Sequence, residues 1–396
     1  LHRNIIFDNS NVPMEPVSFY EAPTRKELWN LLDQTCSENC DYVVIPHNSN
    51  LSNGYMFEEP DQDEILIQST KEPLVEIFQH KGSSECNIDP NDPLCNFEQL
   101  PYKDFRSKFQ NDLSSSPDSS FVREALGNGL LSQDRQSINP LKFGIIASTD
   151  THLGTPGAVD ESTFQGHGGA GKSFRSSIPE GLPDDIEFNP GGLAVAWAEE
   201  NSRSAIFDAF KRKEVYGTSG PRFIVRFFVG DNLDKNLCNS PDNISYAYAN
   251  ATPMGGTIAS DSLSQPSIFI SASADSSIKD QFIEKLQVVK GVVRNGELLT
   301  TVHDVGVTNA QSKLDIASCK VTGSGEKAMC SVWNDPNFNS SENAYYYVRV
   351  VANKSCRWSH NLCLQNPEYC EADSDASIPK VIQERAWTSP VWLETT

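Results

Sequence analysis

The residues best suited to chemistry stand where two short apolar runs end. Lys142-Phe143-Gly144-Ile145-Ile146-Ala147 leads into Ser148-Thr149-Asp150-Thr151-His152, and Asp41-Tyr42-Val43-Val44-Ile45-Pro46 leads into His47. Each run reads as a buried strand, and side chains just past strand ends can be turned toward one point. A carboxylate with two imidazoles suits a divalent cation. His47, Asp150 and His152 are therefore expected to converge on metal and to support metal-assisted hydrolysis. The bland alternatives are a hydrogen-bonded loop histidine at His47 and a turn-capping Asp150 beside a solvent-facing His152.

Three further residues are candidates for catalysis. Glu76, inside Leu74-Val75-Glu76-Ile77-Phe78-Gln79, reads as a ligand, a general base or a carboxylate supporting either, with a structural pairing to Lys81 or Arg222 as the alternative. Arg222, after Thr218-Ser219-Gly220-Pro221, offers a fork to a phosphate-like oxyanion or a salt bridge at a domain boundary. Lys81 or Arg222 would take up charge developing on the ester oxygens. His80 breaks the apolar alternation and is expected at the surface. His167, in Gly166-His167-Gly168-Gly169, can close over a site from a glycine-rich loop. No G-x-S-x-G occurs, and the glycines near Gly171-Lys172-Ser173 lack a preceding strand, so neither a nucleophile elbow nor a phosphate loop is expected.

These residues need strands to position them. Asn4-Ile5-Ile6-Phe7 reads as a strand, and residues 24–33 read as a helix capped by Thr24 with Glu27 three positions on. With the strand at 41–46 this makes a β-α-β opening, expected to be a right-handed parallel crossover. Residues 82–118 are rich in Ser, Asp, Asn and Pro and read as a surface excursion. Helices are expected at Ser120 to Leu131 and within Asn201 to Glu214. From Arg222 onward the pattern is β-rich, with runs at 223–229, 267–274, 286–294 and 345–351 and one short helix near Lys279–Glu284. The expected fold class is α/β plus all-β: a β/α metal-site domain over residues 1–221 and a sandwich-like β domain over 222–396. Gln383 to Pro390 is expected to clasp the two together.

The bulk numbers narrow the partners. A chain of 396 residues is long for one core. A net charge of -21 argues against nucleic acid, because no basic surface is available to replace counterions. No apolar run approaches the ~20 residues of a membrane span. The ten cysteines include near pairs Cys36/Cys40, Cys86/Cys95, Cys319/Cys330 and Cys363/Cys370, which suits local disulfides in an oxidising compartment; Cys238 and Cys356 are left over. A secreted or otherwise extracytoplasmic protein is expected. Asn50, Asn243, Asn250, Asn339 and Asn353 begin glycosylation sequons, about as many as chance supplies.

Six blocks together carry a family resemblance: Ile45 to Gly54, Ser148 to His152, Asn189-Pro190-Gly191-Gly192-Leu193, Ala198-Glu199-Glu200-Asn201, Thr218 to Arg222, and Gln383 to Pro390. In order across the chain, they resemble the family called domain of unknown function 3604. That family looks related to the polymerase-and-histidinol-phosphatase (PHP) superfamily of metal-dependent phosphoesterases. The resemblance implies a partial, distorted β/α barrel and a site of His, Asp and Glu holding roughly one to three ions of Zn, Mn, Fe or Ca. In those terms His47 resembles the histidine after a middle strand, and Asp150 with His152 resembles the closing Asp-x-His. Such proteins open with His-x-His, which this chain lacks, so it resembles only the C-terminal part of longer members, and the expectation is either a cleaved N-terminal fragment of the same precursor that can stay associated or an incomplete sequence. The function so implied is hydrolysis of a small anionic phosphoester outside the cytosol. The alternatives are a non-catalytic extracellular protein built on the hydrolase fold, and hydrolysis of another ester such as a sulfate.

Overall fold

A computed structural model describes residues 2–36, 40–99, 117–164, 166, 188–309, 311–365 and 379–395. In chain order the first half contains β1 (Arg3–Phe7), α1 (Arg25–Thr35), β2 (Tyr42–Pro46), α2 (Ile65–Lys71), β3 (Leu74–Gln79), the two-residue β4 (Gly82–Ser83), α3 (Val122–Gln136), β5 (Gly144–Ala147), β6 (Leu193–Ala196), α4 (Arg203–Lys211) and β7 (Val215–Thr218). The second half contains β8 (Ile224–Asp231), α5 (Asn243–Asn250), β9 (Ala251–Pro253), β10 (Thr257–Ala259), β11 (Pro266–Ser273), β12 (Ile283–Arg294), β13 (Glu297–Val307), β14 (Lys313–Asp315), β15 (Lys320–Thr322), β16 (Ala328–Asn334), β17 (Ala344–Cys356), α6 (Trp358–Gln365), β18 (Val381–Thr388) and β19 (Val391–Glu394). The fold is mixed α/β and mostly sheet. Among the described residues it has six helices and no closed barrel, and no helix is long and apolar enough to cross a membrane.

An eight-stranded sheet is the structural spine. Its path runs β10-β19-β17-β18-β7-β6, with β12 joined to β17 and β13 to β12. Alternation along a strand sends successive side chains to opposite faces, and this sheet buries both. Val288, Tyr346, Val348 and Val350 face the four-stranded sheet β16-β11-β8-β9, meeting Phe227, Val229, Ile268 and Ile270. Val289, Val293, Tyr345, Tyr347 and Trp387 face the other way, onto Val122, Ala125 and Leu126 of α3 and onto Val75 and Ile145. A strand buried on both faces reads as a nearly continuous apolar run, as Tyr345 to Val351 does except at the buried Arg349. The expected division at residue 221 falls between β7 and β8. One sheet runs through that point, because β18 pairs with β7 on one side and with β17 on the other.

Several expectations are corrected. β1 and β2 pair antiparallel, from Arg3↔Pro46 to Phe7↔Tyr42, and do not form a parallel crossover. The connection between them is long enough to return the chain to either end, so the capping box and the apolar pattern left direction open. Asp8 and Asp41 close the pair at its far end, through Asp8 N–H to Asp41 O at 3.0 Å and Asp41 N–H to Asp8 Oδ1 at 3.1 Å. The start of the expected surface excursion is interior, since residues 82–86 are all buried, and buried and exposed residues alternate from 87 to 99. Residues 100–116 lie outside the described residues. The short helix near Lys279–Glu284 is absent, since β12 begins at Ile283. Two helices stand where none of that length was expected, α5 and α6, whose sequences carry no clean apolar stripe.

Cysteine pairing is only partly local. Cys36–Cys40 and Cys86–Cys95 pair as near neighbours, but Cys330 pairs with Cys238 and Cys319 with Cys356. Spacing along the chain cannot reveal that β16 lies against the segment carrying Cys238. Cys363 is also disulfide-bonded, with its partner outside the described residues. The Cys238–Cys330 bridge spans a sequence separation of 92. Replacing both cysteines by alanine is expected to cost about 4 kcal/mol, because the unfolded chain regains the loop entropy the bridge removes. Urea unfolding under non-reducing conditions measures this.

Candidate metal centre

Two parallel strands aim the site. β3 and β5 pair from Leu74↔Gly144 to Phe78↔Ala147, so their C-terminal ends share one edge of the sheet. That edge is where parallel sheets collect ligands. His80 follows β3 directly, and Asp150 and His152 follow β5. The chain leaves β5 by a tight path: Ser148 N–H donates to Phe78 O at 3.0 Å, and Gly192 N–H donates to Ser148 O at 2.7 Å. Gly191 is required there. Its φ is +86°, and a Cβ would come within 2.6 Å of Thr149 Cα. Asp150 itself is left-handed, with φ of 52°. Asp tolerates that region better than most residues, and here it turns the carboxylate back over the strand end.

Asp150 is the hub. Its Oδ1 lies 3.3 Å from His47 Nε2 and 3.7 Å from His152 Nε2; its Oδ2 lies 3.1 Å from His80 Nε2 and also bonds Lys81 Nζ. Lys81 Nζ is in turn 2.7 Å from His80 Nε2. Behind this, Glu76 fixes the His47 ring: its Oε1 is 2.7 Å from His47 Nδ1, while its Oε2 accepts the Ser148 hydroxyl. Asn48 Nδ2 stands 2.8 Å from His47 Nε2. His2 stacks on His47 with ring centroids 6.1 Å apart and planes 7° from parallel. Phe188 closes the opposite wall, stacked on His80 at 5.2 Å.

The electrostatics follow from burial among charges. Burial alone would pull the His47 imidazole down, but the Glu76 and Asp150 carboxylates more than offset it and hold it up at about 10. Burial would raise Asp150. Hydrogen bonds from His47 and His80, with the charges of His47 and Lys81, instead hold it well below the usual carboxylate range. His2 is lowered, first by burial and then by the neighbouring His47.

Of the residues expected from sequence, His47, Glu76, Lys81, Asp150 and His152 are thus brought together. Arg222 stands elsewhere. It is exposed, its backbone N–H donates to Asp275 Oδ2 at 2.7 Å, and it lines a separate cleft. His167 lies outside the described residues. His80 corrects the expectation of a surface residue, being 1% exposed and in the middle of the cluster. A signal for it was present. His80 follows β3 directly, at the strand end where parallel sheets collect ligands. His2 was missed because only β1–β2 pairing brings the start of the chain beside His47.

Three groups of side chains among the described residues have the spacing to hold a metal. Two include Cys86 with Cys95 or Cys319 with Cys356, whose sulfurs are committed to disulfides. The third is His80, Asp150 and His152, with one ligand atom each, all within 4.8 Å of one another. Two imidazoles and a carboxylate fit a divalent transition ion. Glu76 on His47 is the kind of partner that orients an imidazole near such an ion.

A buried salt-bridge cluster holds the loop carrying His80 and Lys81. Glu85 accepts from Arg123 Nη2 at 2.8 Å, Arg349 Nη1 at 3.0 Å, Tyr347 Oη at 2.8 Å and Trp387 Nε1 at 2.7 Å. Asp92 takes Arg349 Nη2 at 2.8 Å and Arg123 Nη1 at 2.9 Å. Arg357 reaches from the end of β17 to Glu98 and, at 2.8 Å, to the carbonyl of Phe188. The second half of the chain therefore braces both walls of the site.

Asn50 sits just beyond His47. Its Nδ2 donates to Lys81 O at 3.0 Å, a bond that a glycan on that nitrogen would break. Glycopeptide mass spectrometry of secreted material is expected to find the Asn50 sequon empty, and occupancy would show that this loop is arranged differently.

Residues 1–395 match a family model described as "Protein of unknown function (DUF3604)". No curated protein and no solved structure matches the chain.

Proposed function

The chain belongs to the DUF3604 family, whose description assigns no activity, and from the site we propose metal-dependent hydrolysis of small phosphoesters, monoesters or diesters. The observation that carries this reading is the convergence of His80, Asp150 and His152 ligand atoms within 4.8 Å, at the shared edge of β3 and β5. A divalent ion bound there would polarise the phosphoryl group and make hydroxide available near neutral pH. His80, Asp150 and His152 would hold it. His47 stands against Asp150 and is positioned for the same ion or for orienting that carboxylate. Glu76 keeps the His47 ring in place. Lys81, the buried ammonium at the cluster, is the group to meet charge developing on the ester oxygens. Arg222 has no part in this step.

A relationship to PHP-type phosphoesterases belongs to the same proposal. Its support is the Asp-x-His after β5 and the histidine after β2, both at strand ends. So does a two-part chain, with the metal centre in residues 1–221 and a β-sandwich in 222–396 bracing it. So does location outside the cytosol, which the disulfides favour.

The test is turnover of p-nitrophenyl phosphate and bis(p-nitrophenyl) phosphate with added Zn, Mn, Fe or Ca. Turnover that chelator abolishes, and that Asp150→Asn lacks, is the expected result. No turnover with any ion would replace the hydrolase with the non-catalytic reading.

A further inference from the structure

Away from the Asp150 cluster, β13 is an edge strand of the eight-stranded sheet. Among the described residues it pairs with β12 and with no other strand. At 11 residues it is long for an edge, and an unpaired edge offers backbone N–H groups and carbonyls to any extended chain. Proteins blunt such edges with lysine, proline or a bulge. Glu297–Val307 holds no lysine and no proline. Its one irregularity is near the far end, where the register with β12 shifts and the Ser331 hydroxyl donates to the Val305 carbonyl at 2.7 Å. From Leu298 to His303 the register is regular, and Leu299, Thr300 and Thr301 are exposed. A cleft of about 630 Å3 runs along this open stretch, walled on its other side by residues 86–92 and the start of α3. Thr300, Thr301, Val302 and His303 all line it. Successive residues of a strand point to opposite faces, so a cleft that meets four in a row meets the strand edge-on. The facing wall is acidic, with Asp89, Asp118 and Glu124. Its cation, Arg123, is committed to Glu85 and Asp92. Burial, and then the charge of Asp118, push the Glu124 carboxyl up, so the negative charge rests on Asp89 and Asp118. Ile88, 63% exposed, adds an apolar contact to the same wall.

We propose that the open edge of β13 takes an extended, basic peptide of a partner protein as an added strand in this cleft. Backbone hydrogen bonds to β13 supply the affinity, and alternate side chains of the guest supply the choice. Those turned to the acidic wall are Lys or Arg, opposite Asp89 and Asp118. Those turned the other way are apolar or β-branched, as suits a strand beside Leu299 and Thr301. A second copy of this chain is the poorer guest. Pairing through its own β13 would bring a second acidic wall beside the first, on a chain whose net charge is already -21. This proposal is independent of hydrolysis at Asp150 and holds whether or not that reaction occurs.

The test is calorimetry of the whole protein in about 0.15 M salt, where diffuse attraction to the acidic surface is screened. The first probe is an end-capped octapeptide of alternating lysine and valine. The second replaces its lysines by glutamates. The third is the lysine peptide with every backbone nitrogen methylated, which keeps the charge and has no N–H to give to an edge. Only the first is expected to bind, one to one, and amide hydrogen exchange at residues 298–304 is expected to slow when it does. Asp89→Asn combined with Asp118→Asn is expected to weaken it about tenfold, with circular dichroism verifying the fold. Equal binding of the methylated peptide would mean attraction of charge without strand pairing, and would overturn the proposal. So would equal binding of the glutamate peptide, unchanged exchange at 298–304, unchanged affinity in the folded variant, or no binding. Sedimentation that shows a dimer protecting the same amides would assign the edge to a second copy and overturn it too.

Discussion

Asp150→Asn is expected to lower metal affinity about 100-fold and phosphoester turnover about 1000-fold, leaving the fold intact. The substitution removes one charge at the point where His47, His80, His152 and Lys81 meet. Without it, the buried Lys81 ammonium and the raised His47 imidazole face each other with no anion between them except Glu76 behind the ring. Both then repel an incoming cation. Asparagine is the cleaner variant because it tolerates the left-handed φ of 52° that Asp150 adopts. Asp150→Ala adds backbone strain of about 1 kcal/mol to the same loss. Metal titration by calorimetry and turnover by p-nitrophenolate release check the two effects separately.

Glu85→Gln is expected to destabilise the protein by about 3–5 kcal/mol, because it leaves buried guanidiniums with one carboxylate fewer. Glu85 bonds Arg123 and Arg349, and Arg385 lies 4.0 Å away. Asp92 alone cannot balance three. The pH dependence has a definite sign. Burial would raise the Glu85 carboxyl, but Arg349, Arg123 and Arg385 hold it well below the usual range. A carboxylate depressed in the folded state adds stability that is present above its unfolded value, about 4.3, and is lost as pH falls toward the folded one. The gap between wild type and Glu85→Gln in urea unfolding is therefore largest near neutral pH and narrows below about pH 4. A gap that does not change with pH would mean that Glu85 acts through packing and not charge.

What could be read from sequence was what local physics sets. Thr24 and Glu27 announce α1, and the reciprocal bonds are present, Glu27 N–H to Thr24 Oγ1 at 3.2 Å and Thr24 N–H to Glu27 Oε2 at 2.9 Å. The runs before His47 and Asp150 are strands because apolar β-branched residues fill them. What could not be read depends on partners far away in the chain. The polar stretch at 82–99 has the composition of a loop. Its first residues, 82–86, are buried, and Glu85 there meets Arg349, 264 positions later. Burial of charge is legible only when its partner is known. Apolar alternation does not locate His80, because past the end of β3 its partner is Asp150 and not the core. His2 depended on the direction of a strand pair that neither its residues nor its spacing set.

The most direct test of the metal centre is elemental analysis of the purified protein after exhaustive dialysis. The account predicts at least one transition metal ion per chain in the wild type, lost in Asp150→Asn and kept in Arg222→Ala. Protein that holds no metal after exposure to Zn, Mn or Fe, or metal that stays bound in Asp150→Asn, would contradict it.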